Sequence, residues 1–250
     1  MDIAVQRPNN STSESWQLLG TVVWGIGVAL IFFVVNIITT LVVVVRGQHD
    51  LSEEKLSLLL ASAPGDGNVL SITTFATTLV CVPVVVGIAK LKKHSNIKDY
   101  FALKAVAVRS LMAWLGILII FIALSDGLTV LLGKTIVPEI MSAAYTSARP
   151  VWLLWLALVL AAPLFEEAFF RGFLFKGFAS SVVGPLGAVA ITSLLWAAIH
   201  IQYDLYGIGT VFFLGVLFGL ARTLTGSLIV PFALHAVSNI VATAEAALLG

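Results

Sequence analysis

The sequence predicts an all-α protein, a polytopic transmembrane helical bundle of about seven spans, within a range of six to eight. Three observations predict it. Mean hydropathy is +1.04, and only 11% of the 250 residues are charged while 59% are apolar; soluble domains carry about 25% charged residues. Several uncharged runs approach or exceed the ~20 residues that cross a bilayer core. No stretch of about ten residues alternates polar with apolar, as a barrel strand would.

The same figures narrow the function classes. A net charge of +1 with no basic stripe leaves nothing to hold a phosphate backbone, so no nucleic-acid partner is expected. The single cysteine, Cys81, lies in an apolar run and has no internal disulfide partner; it reads as a small packed hydrophobe.

Residues 1–15 are polar and Ser/Asn-rich and lack the basic n-region of a signal peptide, so a disordered N-terminal tail is expected. Residues 16–250 are read as a single transmembrane domain, with a catalytic core at about 150–250. The first apolar run, Trp16 to Val45, exceeds one straight crossing, which predicts a tilt or an interfacial start. In the polar connection that follows, Leu51 to Ala61 predicts a short surface helix closed by Pro64-Gly65. A second span is expected over Val69 to Ala89. Next comes the most basic stretch, with Lys90, Lys92, Lys93, Lys98, Lys104 and Arg109 against Asp99 alone. By the positive-inside tendency the 90–109 loop, and with it the N-terminus, is expected to face the cytoplasm. His49 and His94 sit in polar connections and are read as solvated.

A third span is expected over Leu111 to Leu132, with Asp126-Gly127 marking a break or a water-facing lip. The fourth starts at Val151 and holds Pro163-Leu-Phe-Glu-Glu-Ala-Phe-Phe-Arg171. Pro163 removes a backbone donor, so a kink or helix restart just before the glutamates is expected. A fifth span, Ala188 to about Ile201, carries Trp196 and His200. A sixth ends at Arg222 and contains Gly215-x-x-x-Gly219, a weak signal for close helix approach. The last run, Leu228 to Leu249, holds His235, Asn239 and Glu245, the last of these expected to reach the interface with its side chain.

Glu166, Glu167 and Arg171 in a membrane cost roughly 8–10 kcal/mol on the insertion scale, which makes them functional candidates. Residues four apart share a helix face, so Glu167 and Arg171 are expected to form an ion pair. Glu166 has no such partner and must find one across an interface. Glu166 lies seventeen residues before the turn at Val183 and His200 seventeen after it, which predicts equal depth in an antiparallel pair. Trp196, one turn before His200, is expected to wall the site. His235 and Asn239 share a face, but the depth of His235 does not match without a tilt.

A Glu and a His at one depth can hold a water for general-base attack. A second His with an Asn supplies donors for a developing oxyanion, which together suits amide hydrolysis. The same residues, Glu166, His200 and His235, also form a two-His, one-Glu ligand set for catalytic zinc. Both readings stand at this level. A non-catalytic membrane protein using the cluster for binding, as in bacteriocin immunity or scaffolding, is the alternative from another class. A proton-relay transporter is a third, weakened by the absence of inverted halves.

Glu166-Glu167-x-x-x-Arg171, Trp196-x-x-x-His200 and His235-x-x-x-Asn239 together resemble the three-motif signature of the CAAX-protease and bacteriocin-processing family of intramembrane proteases. That family, also called Abi, includes the Ras-converting prenyl endoproteases. The resemblance spans about residues 150–250, and Trp196 stands where Phe is more usual. It implies that Glu166 and His200 activate water, that His235 and Asn239 stabilise the oxyanion, and that Glu167 and Arg171 support the site. It implies a peptide or protein substrate, with a lipidated one as its best-known case, and a lipid bilayer around the chain. It favours a metal-free mechanism with no cofactor, zinc being the other option. A bacterial plasma membrane is the expected location.

Overall fold

A computed structural model describes residues 15–46, 48, 51–92 and 96–250. Residues 1–14, His49 and His94 lie outside the described residues, so the expectations for the tail and for those two histidines do too. The described chain is 82% helix without a strand. Among the described residues, six helices are long and apolar enough to cross a membrane.

Helix α1 (Leu18–Val45) is 28 residues long, about 42 Å at 1.5 Å per residue and so longer than a ~30 Å hydrocarbon core. It packs on the next long helix, Gly67–Lys90, and Trp16 just before α1 donates its indole N–H to the Ile88 carbonyl at 3.0 Å. The expected surface helix is α2 (Glu53–Ser62), started by Ser52, whose hydroxyl accepts from the Lys55 amide. A single 3₁₀ turn, Ala63–Gly65, closes it. Asp66 then caps α3 (Gly67–Lys90) by accepting from the Asn68 and Val69 amides at 2.8 and 3.1 Å.

After the short turn α4 (Ile97–Tyr100), α5 (Val108–Leu131) runs without interruption through Asp126-Gly127. The expected break there is absent. One glycine in a helix costs about 1 kcal/mol, whereas orphaned backbone groups in lipid cost several each, so the helix continues. Asp126 lies beside Glu245 of the last helix, and both carboxyl groups are only partly buried.

Helix α6 (Glu139–Ser147) lies at the same end as α2 and is tied to the start of α3. The Gly67 amide donates to the Ser147 hydroxyl at 2.9 Å, and Asn68 Nδ2 donates to the Ser147 carbonyl at 3.1 Å. Helix α7 (Val151–Ala179) is the most buried of the long helices. Helix α8 (Gly184–Ala198) has only 15 residues, about 22 Å, so it ends part-way through the bundle. The bundle is thus six full-length crossings plus this shorter apolar helix. Helix α9 (Leu205–Thr225) and α10 (Ile229–Leu249) complete it.

Gly215 and Gly219 of α9 are where α8 comes closest. A Cβ on Gly219 would lie 2.9 Å from Val189, and one on Gly215 would lie 3.0 Å from Trp196. The small-residue spacing therefore serves the packing the sequence suggested.

Candidate active site

Pro163 starts the construction. The Ala162 amide bonds the Ala157 carbonyl, five residues back, within a π-helical stretch over Ala157–Ala161. That register leaves the Leu158 carbonyl to residue 163, a proline with no N–H. Asn239 of α10 supplies the missing donor, its Nδ2 lying 2.7 Å from the Leu158 oxygen. The Thr78 hydroxyl of α3 likewise donates to the Ala161 carbonyl at 2.9 Å. A second π-helical stretch, Glu167–Leu174, follows, and there Arg222 Nε donates to the Arg171 carbonyl at 3.2 Å. The expected kink is a pair of π segments with neighbours satisfying what they release.

The adjacent glutamates live in different surroundings. Glu167 is 1% exposed and Arg171 0%. Arg171 Nη1 donates to Glu167 Oε1 at 3.0 Å, and Nη2 donates to the Gly215 carbonyl at 3.2 Å. The guanidinium lies 4.5 Å from the Trp196 ring centre, a stacking geometry as well as an ionic one. Glu167 Oε1 also faces His235 Nδ1 at 2.9 Å. Glu166 is 17% exposed and turns into a cavity. Its Oε2 accepts from the Trp196 indole at 2.5 Å and lies 3.9 Å from His235 Nε2.

His200 sits just past the end of α8, its backbone N–H bonded to the Ala197 carbonyl. Nδ1 is 2.7 Å from the Trp196 carbonyl. A carbonyl only accepts, so Nδ1 carries the proton and, in the neutral ring, Nε2 keeps its lone pair. Tyr203 stacks on the ring at 6.0 Å. Burial pushes the Tyr203 hydroxyl above its ordinary value, so it stays neutral beside the histidine.

Glu166, Trp196, His200, His235 and Asn239 all line one cavity of about 620 Å³. The structure thus brings the expected site residues together, with Glu167 and Arg171 directly behind. Two contacts differ from expectation. Trp196, expected as a wall, donates a hydrogen bond to Glu166 and touches it more directly than the depth-matched His200 does. His235, whose depth did not match, lies against both glutamates. The depth count assumed equal, full-length antiparallel helices, while α8 is short and α7 carries two π segments that shift its register. Among the described residues no group of three or more His, Cys, Asp or Glu side chains is placed to hold a metal ion.

Sequence reading missed Tyr203 and the hydroxyl stripe Thr73, Thr74, Thr77 and Thr78 of α3, which also line the cavity. The stripe was visible as i, i+1, i+4, i+5 spacing in an apolar run, the signature of one polar helix face.

Residues 148–241, the segment that holds all seven of the motif side chains, match the family described as type II CAAX prenyl endopeptidase Rce1-like. The resemblance of the three motifs to the CAAX-protease family holds over that stretch. Over 92 residues the chain is 39% identical to an Escherichia coli protein known as an uncharacterized 24.3 kDa protein, a match covering 36% of this chain and 42% of that one. The chain thus spans less than half the length of that relative. No solved structure matches.

Proposed function

With a C-terminal segment that matches the Rce1-like CAAX proteases, we propose that this integral membrane protein is an intramembrane endopeptidase that hydrolyses a peptide bond with a water held between Glu166 and His200. The observation that carries the reading is the position of Glu166. It is the one carboxylate of the pair that reaches the cavity, with Glu167 already committed to Arg171 and His235. Glu166 takes the proton of the water as the oxygen attacks the scissile carbonyl. Trp196 holds the carboxylate in place, and the Nε2 lone pair of His200 aligns the same water.

The tetrahedral oxyanion then needs donors. Asn239 spends one amide N–H on Leu158 and keeps a second, and His235 in its doubly protonated form presents Nε2–H to the cavity. Collapse of the intermediate returns the proton from Glu166 to the leaving amine. In this reading no metal takes part, and the chain sits in a plasma membrane with residues 90–109 towards the cytoplasm. A lipidated substrate is the family's best-known case, whereas the reading here requires only a peptide segment that reaches the cavity.

Purified protein incubated with membrane-tethered peptides tests it. Wild type cleaves with or without chelator, and Glu166→Gln, which keeps shape and removes the base, loses about 10³-fold or more of the rate. Retained cleavage in Glu166→Gln sinks the assignment. A wild type that binds peptides without cutting them supports instead the immunity or scaffolding alternative.

A further inference from the structure

We propose that the cavity opens to the non-cytoplasmic side of the membrane, so that the substrate is a peptide segment presented at the exoplasmic surface. The proposal rests on the peptidase reading for its substrate but on geometry and charge for its sidedness.

The cavity extends towards one end of the bundle and is flanked along its side by Phe32, Phe33, Asn36 and Thr40 of α1. From Glu166 it runs along the hydroxyl stripe of α3 and ends among Leu60, Ala63 and Pro64 of the α2 turn and Ile140 and Met141 of α6. No lining residue comes from the opposite end of the bundle, neither from 90–109 nor from 175–187 nor from 222–229. That end is filled by aromatic side chains. Phe169, Phe170 and Phe173 of α7 are buried together with Tyr100 and Phe101. A Cβ on Gly172 would lie 2.6 Å from the Phe101 ring, so the plug touches the α7 backbone itself. Arg171 and Arg222 close the level just beneath the glutamates.

The two ends differ in charge. Among the described residues the plugged end carries Lys90, Lys92, Lys98, Lys104, Arg109 and Lys176, with Asp99. Among the described residues the open end carries fewer basic groups, Arg46, Lys55, Lys134 and Arg149, alongside Glu53, Glu54, Asp66, Glu139 and Asp204. Orientation follows the Lys/Arg bias of short loops, which places the plugged end in the cytoplasm. The mouth is then exoplasmic.

A consequence for the substrate follows from depth. Glu166 is fifteen residues past Val151, the start of α7 at the mouth end, on the order of 20 Å along the helix axis. An extended chain covers that with roughly six residues. The substrate therefore offers an unfolded segment of about that length from the outer surface, as a secreted peptide or the juxtamembrane stretch of an exported protein does. A prenylated tail in the cytoplasm meets the aromatic plug.

Single cysteines in a Cys81→Ala background test the sidedness in intact bacterial cells with a membrane-impermeant maleimide. Thr146→Cys, exposed on α6, is labelled in intact cells, whereas Lys98→Cys, exposed on α4, is labelled only after permeabilisation. The reverse pattern, or equal labelling of both, overturns the proposal. A second arm places Met141→Cys at the mouth and compares cleavage of an exported, membrane-tethered peptide before and after the impermeant reagent. Loss of cleavage on modification is expected, and a fully modified protein with undiminished activity overturns the mouth. If the wild type cuts no peptide, the peptidase reading fails while the labelling still reports sidedness.

Discussion

Helices α5 and α7 look alike as hydropathy and behave as opposites in the bundle. Each is long enough to cross a membrane, yet 6% of the most apolar window of α5 is buried and 50% of that of α7. Leu124, Leu128, Val130 and Leu131 of α5 stand open to lipid at 69, 49, 58 and 84% exposure. Phe165, Phe169 and Phe173 of α7 instead stack down one face, with ring centres 5.7 and 6.5 Å apart. Lipid tails are as apolar as leucine, so hydrophobicity gives a helix no reason to prefer protein over lipid. What draws α7 to the centre is what lipid cannot satisfy: two carboxylates, a guanidinium and the carbonyls released around Pro163. A central helix in a membrane is recognised by its unmet polar demands.

Three substitutions can break or sharpen that contrast. The largest expected effect is Arg171→Met, which leaves Glu167 buried opposite a single imidazole. Loss of one partner of a buried pair costs about 3–5 kcal/mol, read as a lower unfolding midpoint in detergent. Adding Glu167→Gln should recover part of it. A loss under about 1 kcal/mol would show that the ion pair is not what centres α7. Next is Gly215→Ala, whose Cβ would sit 3.0 Å from Trp196 and 3.2 Å from Arg171 Nη2. Overpacking of this kind costs about 1–3 kcal/mol. Because it displaces the residue that holds Glu166, cleavage should fall further than stability does. Smallest is Leu128→Ala on α5, expected within about ±0.5 kcal/mol. An equal loss at Leu128 and Arg171 would erase the distinction between the helices.

Much of the architecture was legible in the chain. Each span appears within a few residues of its expected limits, since uncharged runs of crossing length have no other stable home. The Glu167–Arg171 pair was legible because i, i+4 neighbours meet on any helix, and the π register still leaves them 3.0 Å apart. The approach at Gly215 and Gly219 was legible as spacing. Of the two readings of Asp126-Gly127, a break or a water-facing lip, the break is absent, since a single glycine in a helix costs less than the backbone groups a break would orphan in lipid. Trp196 was expected to wall the site rather than to donate, since an indole in an apolar run reads as bulk until an acceptor is placed beside it.

The sequence by itself determined the membrane setting, the helical class, the local ion pair and the short roster of polar groups able to do chemistry. These follow from composition and from contacts within one helical turn. Only the tertiary structure decided that His235 bridges the pair and that Asn239 answers the carbonyl Pro163 leaves unpaired. Those contacts join residues 68 to 81 positions apart. They depend on where α8 stops and on how far two π segments turn α7, neither of which is written in any local pattern.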